Sequence, residues 1–209
     1  LNIMTDRKFV KFCGITNLRD ALSAEQSGCD AIGFVFVKKS KRYIEPANCQ
    51  EIISKMSPMV MKVALFADNS VEEIKEVLKT CGINVLQFHG YETPEFCEQF
   101  KQPFWKAIPM ADDVNPLNYA DKYAKADAFL LDNFGKNQSG GSGEKFSWDV
   151  IPELDSHKWI LAGGLNPENI KQACNLSGLN YFDVSSGIEE SPGVKSQKLM
   201  NEFIKNLND

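Results

Sequence analysis

The chain has 209 residues, 43% of them hydrophobic and 24% charged, and 23 Lys and Arg against 28 Asp and Glu give a net charge of −5. That balance belongs to a globular domain with a core large enough to need no staples, and it excludes disordered and fibrous classes. Mild acidity argues against nucleic-acid binding, since the densest basic cluster, Lys38, Lys39, Lys41 and Arg42, is too short to track a polyanion.

The longest apolar run, residues 31–37, falls far short of a membrane span. The opening residues carry no signal-peptide pattern. Residues 1–7 read as a short N-terminal extension with Met4 as a candidate natural start, and residues 1–209 as a single cytoplasmic domain. Six cysteines (13, 29, 49, 81, 97 and 174) form no C-x-x-C pair, and His89 and His157 are the two histidines. Disulfides and a metal site are therefore not expected.

In chain order, apolar runs rich in β-branched and aromatic residues fall at 9–13, 31–37, 61–67, 85–88, 104–108, 128–132, 159–162 and 181–184. Several are almost continuously apolar, as strands covered on both faces of a parallel sheet are. Amphipathic helices are expected between them. Val71, Ile74, Val77, Leu78 and Cys81 form one stripe, with Gly82 as its stop. Thr93-Pro94 starts another helix. Asn166-Pro167 predicts an N-cap followed by proline at the first helical position. Leu199, Met200, Phe203, Ile204 and Leu207 line a last helix.

Eight strand-then-helix units of roughly 25 residues predict a single (β/α)8 TIM barrel at the small end of that fold. An open doubly wound sheet is the alternative. The eight regular units and the lack of G-x-G-x-x-G after the first strand favour the barrel.

A barrel builds its site at the carboxyl ends of its strands. Cys13, His89, Asp132 and Asp183 sit at such ends, as do the turns Gly163-Gly164 and Ser185-Ser186-Gly187. Cys13 would act as a base if the site lowered its thiol pKa, and would otherwise be a buried structural thiol. Asp132 ends an apolar run, a setting that disfavours the charged carboxylate and suits a general acid. A loop salt bridge is its alternative reading. The two glycine turns on adjacent loops suggest a phosphate cradle. Arg42 offers a planar fork for a substrate carboxylate. His89 would donate to a substrate oxygen, and Asp183 would hold a sugar hydroxyl or orient another group. Trp148 and His157 read as structural, and residues 133–138 carry no motif.

These residues resemble the phosphoribosylanthranilate isomerase family of tryptophan biosynthesis over nearly the whole chain. The resemblance rests on Lys11-Phe12-Cys13-Gly14-Ile15-Thr16, on Gly33-Phe34-Val35-Phe36 through Ser40-Lys41-Arg42-Tyr43-Ile44, and on Val85-Leu86-Gln87-Phe88-His89-Gly90, with Phe88 where leucine is commoner. Leu130-Leu131-Asp132, Gly140-Gly141-Ser142-Gly143 with Phe146 and Trp148, Leu161 to Pro167, and Asp183 to Glu189 follow in the same order.

The resemblance implies an Amadori rearrangement of N-(5-phosphoribosyl)anthranilate without a cofactor. It makes Asp132 the general acid and Cys13 the general base. Arg42 then faces the anthranilate carboxylate, and His89 and Asp183 are further substrate contacts. Gly141, Gly163, Gly164, Ser186 and Gly187 form the phosphate cradle. The implied partner is one small phosphorylated substrate, with no nucleic acid and no membrane; monomer and homodimer both stay open. Two other functions remain on the residues alone. A histidine-pathway sugar isomerase would carry a carboxylate where Cys13 stands, and a phospho-ligand binder would not need the paired acid and base.

Overall fold

The computed structural model describes residues 7–112, 114–134 and 157–209. Eight parallel strands close into a barrel in sequence order. They are β1 (Phe9–Cys13), β2 (Ala31–Val35), β3 (Met61–Phe66), β4 (Val85–Phe88), β5 (Phe104–Pro109), β6 (Ala128–Asp132), β7 (Trp159–Leu161) and β8 (Tyr181–Val184). Closure comes from β8 pairing back on β1, with Lys11 opposite Asp183. The open doubly wound alternative is thereby excluded.

The helices of the described residues pack outside the barrel: α1 (Leu18–Ser27), α2 (Pro46–Ile53), α3 (Val71–Thr80), α4 (Pro94–Glu98), α5 (Pro116–Ala120), α6 (Ile170–Ser177) and α7 (Gln197–Asn208). A small antiparallel hairpin, β9 (Glu189–Ser191) with β10 (Val194–Lys195), follows β8.

Alternation along the strands separates two packed layers. Phe12, Phe34, Phe66, Phe88, Phe129, Leu131 and Phe182 belong to the large core between strands and helices. Their strand neighbours Val63, Val85, Ala107, Leu130 and Ile160 belong to small clusters inside the barrel. Lys11, Gln87, Asp132 and Asp183 follow the parity of the inner set and are all buried. The barrel therefore holds a polar layer just beneath its carboxyl-end mouth.

Several expected bounds and one helix cap are corrected. The second, third and seventh strands stop at Val35, Phe66 and Leu161, short of residues 37, 67 and 162, because the chain turns out at the mouth; the fifth runs one residue on, to Pro109. α3 ends at Thr80 with Cys81 as its C-cap, so Gly82 stands just past its end as the expected stop. Asn166 does not cap α6, which starts at Ile170 after Asn169. Instead Asn166 Oδ1 accepts from the backbone N–H groups of Glu168 and Asn169, closing a turn that leads into the helix. Thr93 does cap α4, its Oγ1 accepting from Phe96 N, and α7 buries Met200, Phe203 and Leu207 as the last stripe predicts.

Candidate active site

A cavity of about 840 Å³ opens at the carboxyl ends of the strands, lined by Cys13, Arg42, His89, Asp132, Gly163, Gly164, Asp183 and Ser186. Eight expected residues from six strand ends and their loops thus meet in one space. Gly187 is absent from that lining. A Cβ there would run into the carbonyl oxygen of Leu165, so its glycine serves the close packing of two loops. Gly141 and Trp148 lie outside the described residues, as do residues 135–138. His157 packs edge-on against Phe129 and beside Trp159, in keeping with a structural role.

Cys13 is buried at the end of β1. Burial pushes its thiol above the ordinary range; Lys11 pulls it down, Asp183 pushes it up, and Lys195 pulls it down again. The condition set for a base, a lowered thiol, is not met in the free protein, where desolvation outweighs the cations. Lys11, two residues earlier on the same face of β1, places Nζ 2.8 Å from Asp183 Oδ1. Burial opposes the charge on Lys11, yet Asp183 and Cys13 hold its ammonium above the usual lysine range. Asp183 thus has a partner within the protein before any sugar hydroxyl arrives.

Arg42 is likewise already engaged. Its Nε and Nη2 donate to Glu189 Oε1 and Oε2 at 3.0 and 2.7 Å. Glu189 also accepts from Lys195 Nζ at 2.8 Å. Burial opposes the charge on Glu189, but Arg42 and Lys195 outweigh it and keep the carboxylate below its ordinary range. The pairing consumes one edge of the guanidinium. A second edge, Nη1 with Nη2, still carries the donors needed for a carboxylate. Three cations, Lys11, Arg42 and Lys195, thus surround Cys13 against two carboxylates, leaving a surplus that suits an anionic ligand.

Across the mouth, His89 Nε2 lies 2.9 Å from Asp132 Oδ2, and His89 Nδ1 lies 2.9 Å from Gln87 Nε2. Phe134 packs tilted against the imidazole with centroids 4.7 Å apart. In the free protein the Nε2 of His89 is thus engaged by Asp132, while His89 also lines the cavity. Gly163 turns with φ +80° and Gly164 with φ +67°. A Cβ on Gly163 would stand 2.9 Å from Asp132 Oδ1, so this turn makes room for the carboxylate.

Sequence reasoning missed Lys11, Gln87, Glu189 and Lys195 as site residues. The first two carry a readable signal, since each stands two residues before a strand-end candidate and so shares its face. Glu189 and Lys195 reach the site through the β9–β10 hairpin, which no periodicity announced.

The chain matches the family model described as N-(5'phosphoribosyl)anthranilate (PRA) isomerase over residues 10–206. It is 44% identical over 194 residues to N-(5'-phosphoribosyl)anthranilate isomerase of Hahella chejuensis, covering 93% of this chain and 91% of that one. Among solved structures, the phosphoribosyl anthranilate isomerase of Thermus thermophilus superposes with a TM-score of 0.86 at 36% identity, over 96% of this chain and 98% of the other. A phosphoribosyl anthranilate isomerase in complex with reduced 1-(o-carboxyphenylamino)-1-deoxyribulose 5-phosphate gives 0.81 at 36% identity, with the same coverage.

Proposed function

The chain belongs to the N-(5'-phosphoribosyl)anthranilate isomerase family, and from that premise we propose how its residues divide the work. It is an isomerase of tryptophan biosynthesis. It converts N-(5-phosphoribosyl)anthranilate into 1-(o-carboxyphenylamino)-1-deoxyribulose 5-phosphate. Asp132 protonates the ribose ring oxygen as the C1′–O bond opens, leaving a Schiff base on the anthranilate nitrogen. That cation acidifies the C2′ proton, which the Cys13 thiolate removes to give an enolamine. Tautomerisation of the enolamine yields the ketose. An acid and a base on opposite sides of one sugar are what this sequence of proton transfers needs.

The observation that carries the assignment is the shared cavity: Cys13 ends β1, Asp132 ends β6, and both line the same space. The raised thiol fits the chemistry in one respect. A base that is neutral in the free protein becomes effective when a cationic Schiff base forms beside it, because an adjacent positive charge favours the thiolate. The remaining edge of Arg42 takes the anthranilate carboxylate. The backbone around Gly163, Gly164, Ser186 and Gly187 takes the phosphate, where adjacent loops direct N–H groups to one place. Asp183 meets the ribose while held by Lys11, and His89 acts through Asp132. Residues 1–209 form one domain in this reading.

The test follows loss of the substrate's anthranilate fluorescence with wild type, Cys13→Ala and Asp132→Asn in parallel. Rapid decay with wild type and near-background decay with both variants supports the assignment. Turnover retained in Cys13→Ala keeps the activity and removes the thiol from the mechanism. No decay with folded wild type removes the activity itself.

A further inference from the structure

Gln87 is a fully buried amide in the inner layer of the barrel, two residues before His89 and on the same face. Its Nε2 is 2.9 Å from His89 Nδ1. Among the described residues, its Oε1 has no hydrogen-bond partner. An unsatisfied acceptor in a barrel core is costly, and a plain structural glutamine would be expected to have both ends met. His89 in turn reaches Asp132 Oδ2 through Nε2 at 2.9 Å. Three side chains therefore form one line from the barrel core to the cavity.

Proton counting gives this line two states. With the amide NH2 turned toward the ring, Nδ1 accepts, the single ring proton sits on Nε2, and Asp132 is a carboxylate receiving it. One further proton on the pair puts an N–H on Nδ1, which the NH2 group cannot accept but Oε1 can. The proton on Nε2 is then free to pass to Oδ2 and make Asp132 a carboxylic acid. The two arrangements differ by one proton and by half a turn of the amide. Because one end of that amide is unpartnered, turning it breaks no second hydrogen bond.

We propose that Gln87 is a positioning residue whose amide turns over as the His89–Asp132 pair gains or loses a proton, selecting the ring tautomer that arms Asp132. The inference rests on the reading of Asp132 as the acid, and it adds how that acid is loaded. On protonating the ribose ring oxygen the pair is one proton poorer. The ring proton stays on Nδ1 against Oε1, and the amide presents NH2 again only once that proton has left to solvent and Nε2 has taken one up. The charged neighbours do not compete for this hydrogen bond. Lys106 from β5 donates to the carbonyls of Phe88 and Gly90 and is paired with Glu92. Asp68 accepts from Tyr91 N, and the ring of Phe134 covers the imidazole.

The test is a pH titration of the full chain labelled with 15N in its two histidines, His89 and His157, followed by the ring-nitrogen shifts. In wild type, His89 Nδ1 is expected to pass from a lone-pair to a protonated nitrogen as the pH falls. Gln87→Glu, which offers only oxygens, keeps Nδ1 protonated to a pH at least about one unit higher. Gln87→Met, which offers no hydrogen bond, lowers kcat about tenfold, as loss of an outer-layer partner does. A lone-pair Nδ1 at every pH in wild type overturns the proposal without any variant. Overlapping wild-type and Gln87→Glu titrations overturn the role of Gln87. If the nitrogen shifts in Gln87→Glu but the alkaline limb of kcat does not move with it, the amide switch stands and Asp132 is not the acid.

Discussion

Lys11 Nζ stands 2.8 Å from Asp183 Oδ1, an ion pair with both side chains less than a tenth exposed, two residues before Cys13 on the same face of β1. Gly33 makes the arrangement possible, because a Cβ there would lie 2.8 Å from Cys13 Sγ and 3.0 Å from Lys11 Cε, closer than van der Waals contact. The pair gives up water on both ions, so its value lies less in stability than in the charge it fixes beneath the thiol.

Lys11→Met would leave Asp183 buried and unpaired. Loss of one partner of such a pair costs about 3–5 kcal/mol, so the urea midpoint should fall steeply. In the protein that remains folded, thiolate formation at Cys13 should move to higher pH, since the nearest cation holding it down is gone. Ultraviolet thiolate absorbance reads this directly. An unmoved thiolate titration would leave Lys11 with a structural role alone.

The thiol of Cys13 also sets a pH dependence with a definite sign. Its folded value is raised by burial, so at neutral pH the free protein holds the thiol. Through the alkaline range kcat/KM should climb about tenfold per pH unit until the folded value is passed, unless another group limits it first. Stability runs the other way. A raised folded value means the fold binds this proton more tightly than the unfolded chain, so its contribution is complete below about pH 8.5, the ordinary thiol value. That contribution is lost as pH rises through the folded value. Urea unfolding of wild type and Cys13→Ser at pH 7 and pH 10 should show the larger loss in wild type.

Arg42 and Glu189 make a third case, because the protein's own carboxylate holds the guanidinium by one edge. Arg42→Lys keeps a charge but loses the planar fork and both bonds to Glu189 at once. KM should rise about 10- to 100-fold with a smaller change in kcat, the pattern of a group that binds substrate and transition state alike. Glu189→Gln should raise KM less, because one amide oxygen still holds Arg42, while Lys195 loses its charged partner. Equal effects from the two variants would mean that Glu189 itself faces the ligand.

The barrel and most of its mouth could be read from the chain because they follow from short-range rules. Eight apolar runs with amphipathic stretches between them have few solutions, and polar residues that end such runs must point into the mouth. What escaped the reading was partnership. Nothing at Arg42 announces Glu189, 147 residues away along the chain. Nothing at Lys11 announces Asp183, which meets it through the strand that closes the barrel. The direction of the Cys13 shift could not be read for the same reason: the completeness of burial is a property of the whole packed barrel. Gln87 differs, since its spacing from His89 placed it in the inner layer and only its meaning was overlooked.

Gly163 offers a test in which backbone strain and site geometry can be separated. It adopts φ +80°, and an added Cβ would approach Asp132 Oδ1 to 2.9 Å and Asn133 N to 3.0 Å. Gly178, after α6, adopts φ +65° with nothing within 4 Å of the same added atom. Both alanine variants impose a side chain on left-handed backbone, which costs on the order of 1–3 kcal/mol, and both should unfold earlier in urea. Gly163→Ala alone displaces the carboxylate, or rotates it off His89, and a misplacement of about 1 Å at a reacting group costs about a hundredfold. The expected result is a large drop in kcat for Gly163→Ala, against near wild-type kinetics for folded Gly178→Ala. Should the two variants lose activity equally, the drop would come from strain in the fold, and the close approach of Gly163 to Asp132 would have no part in catalysis.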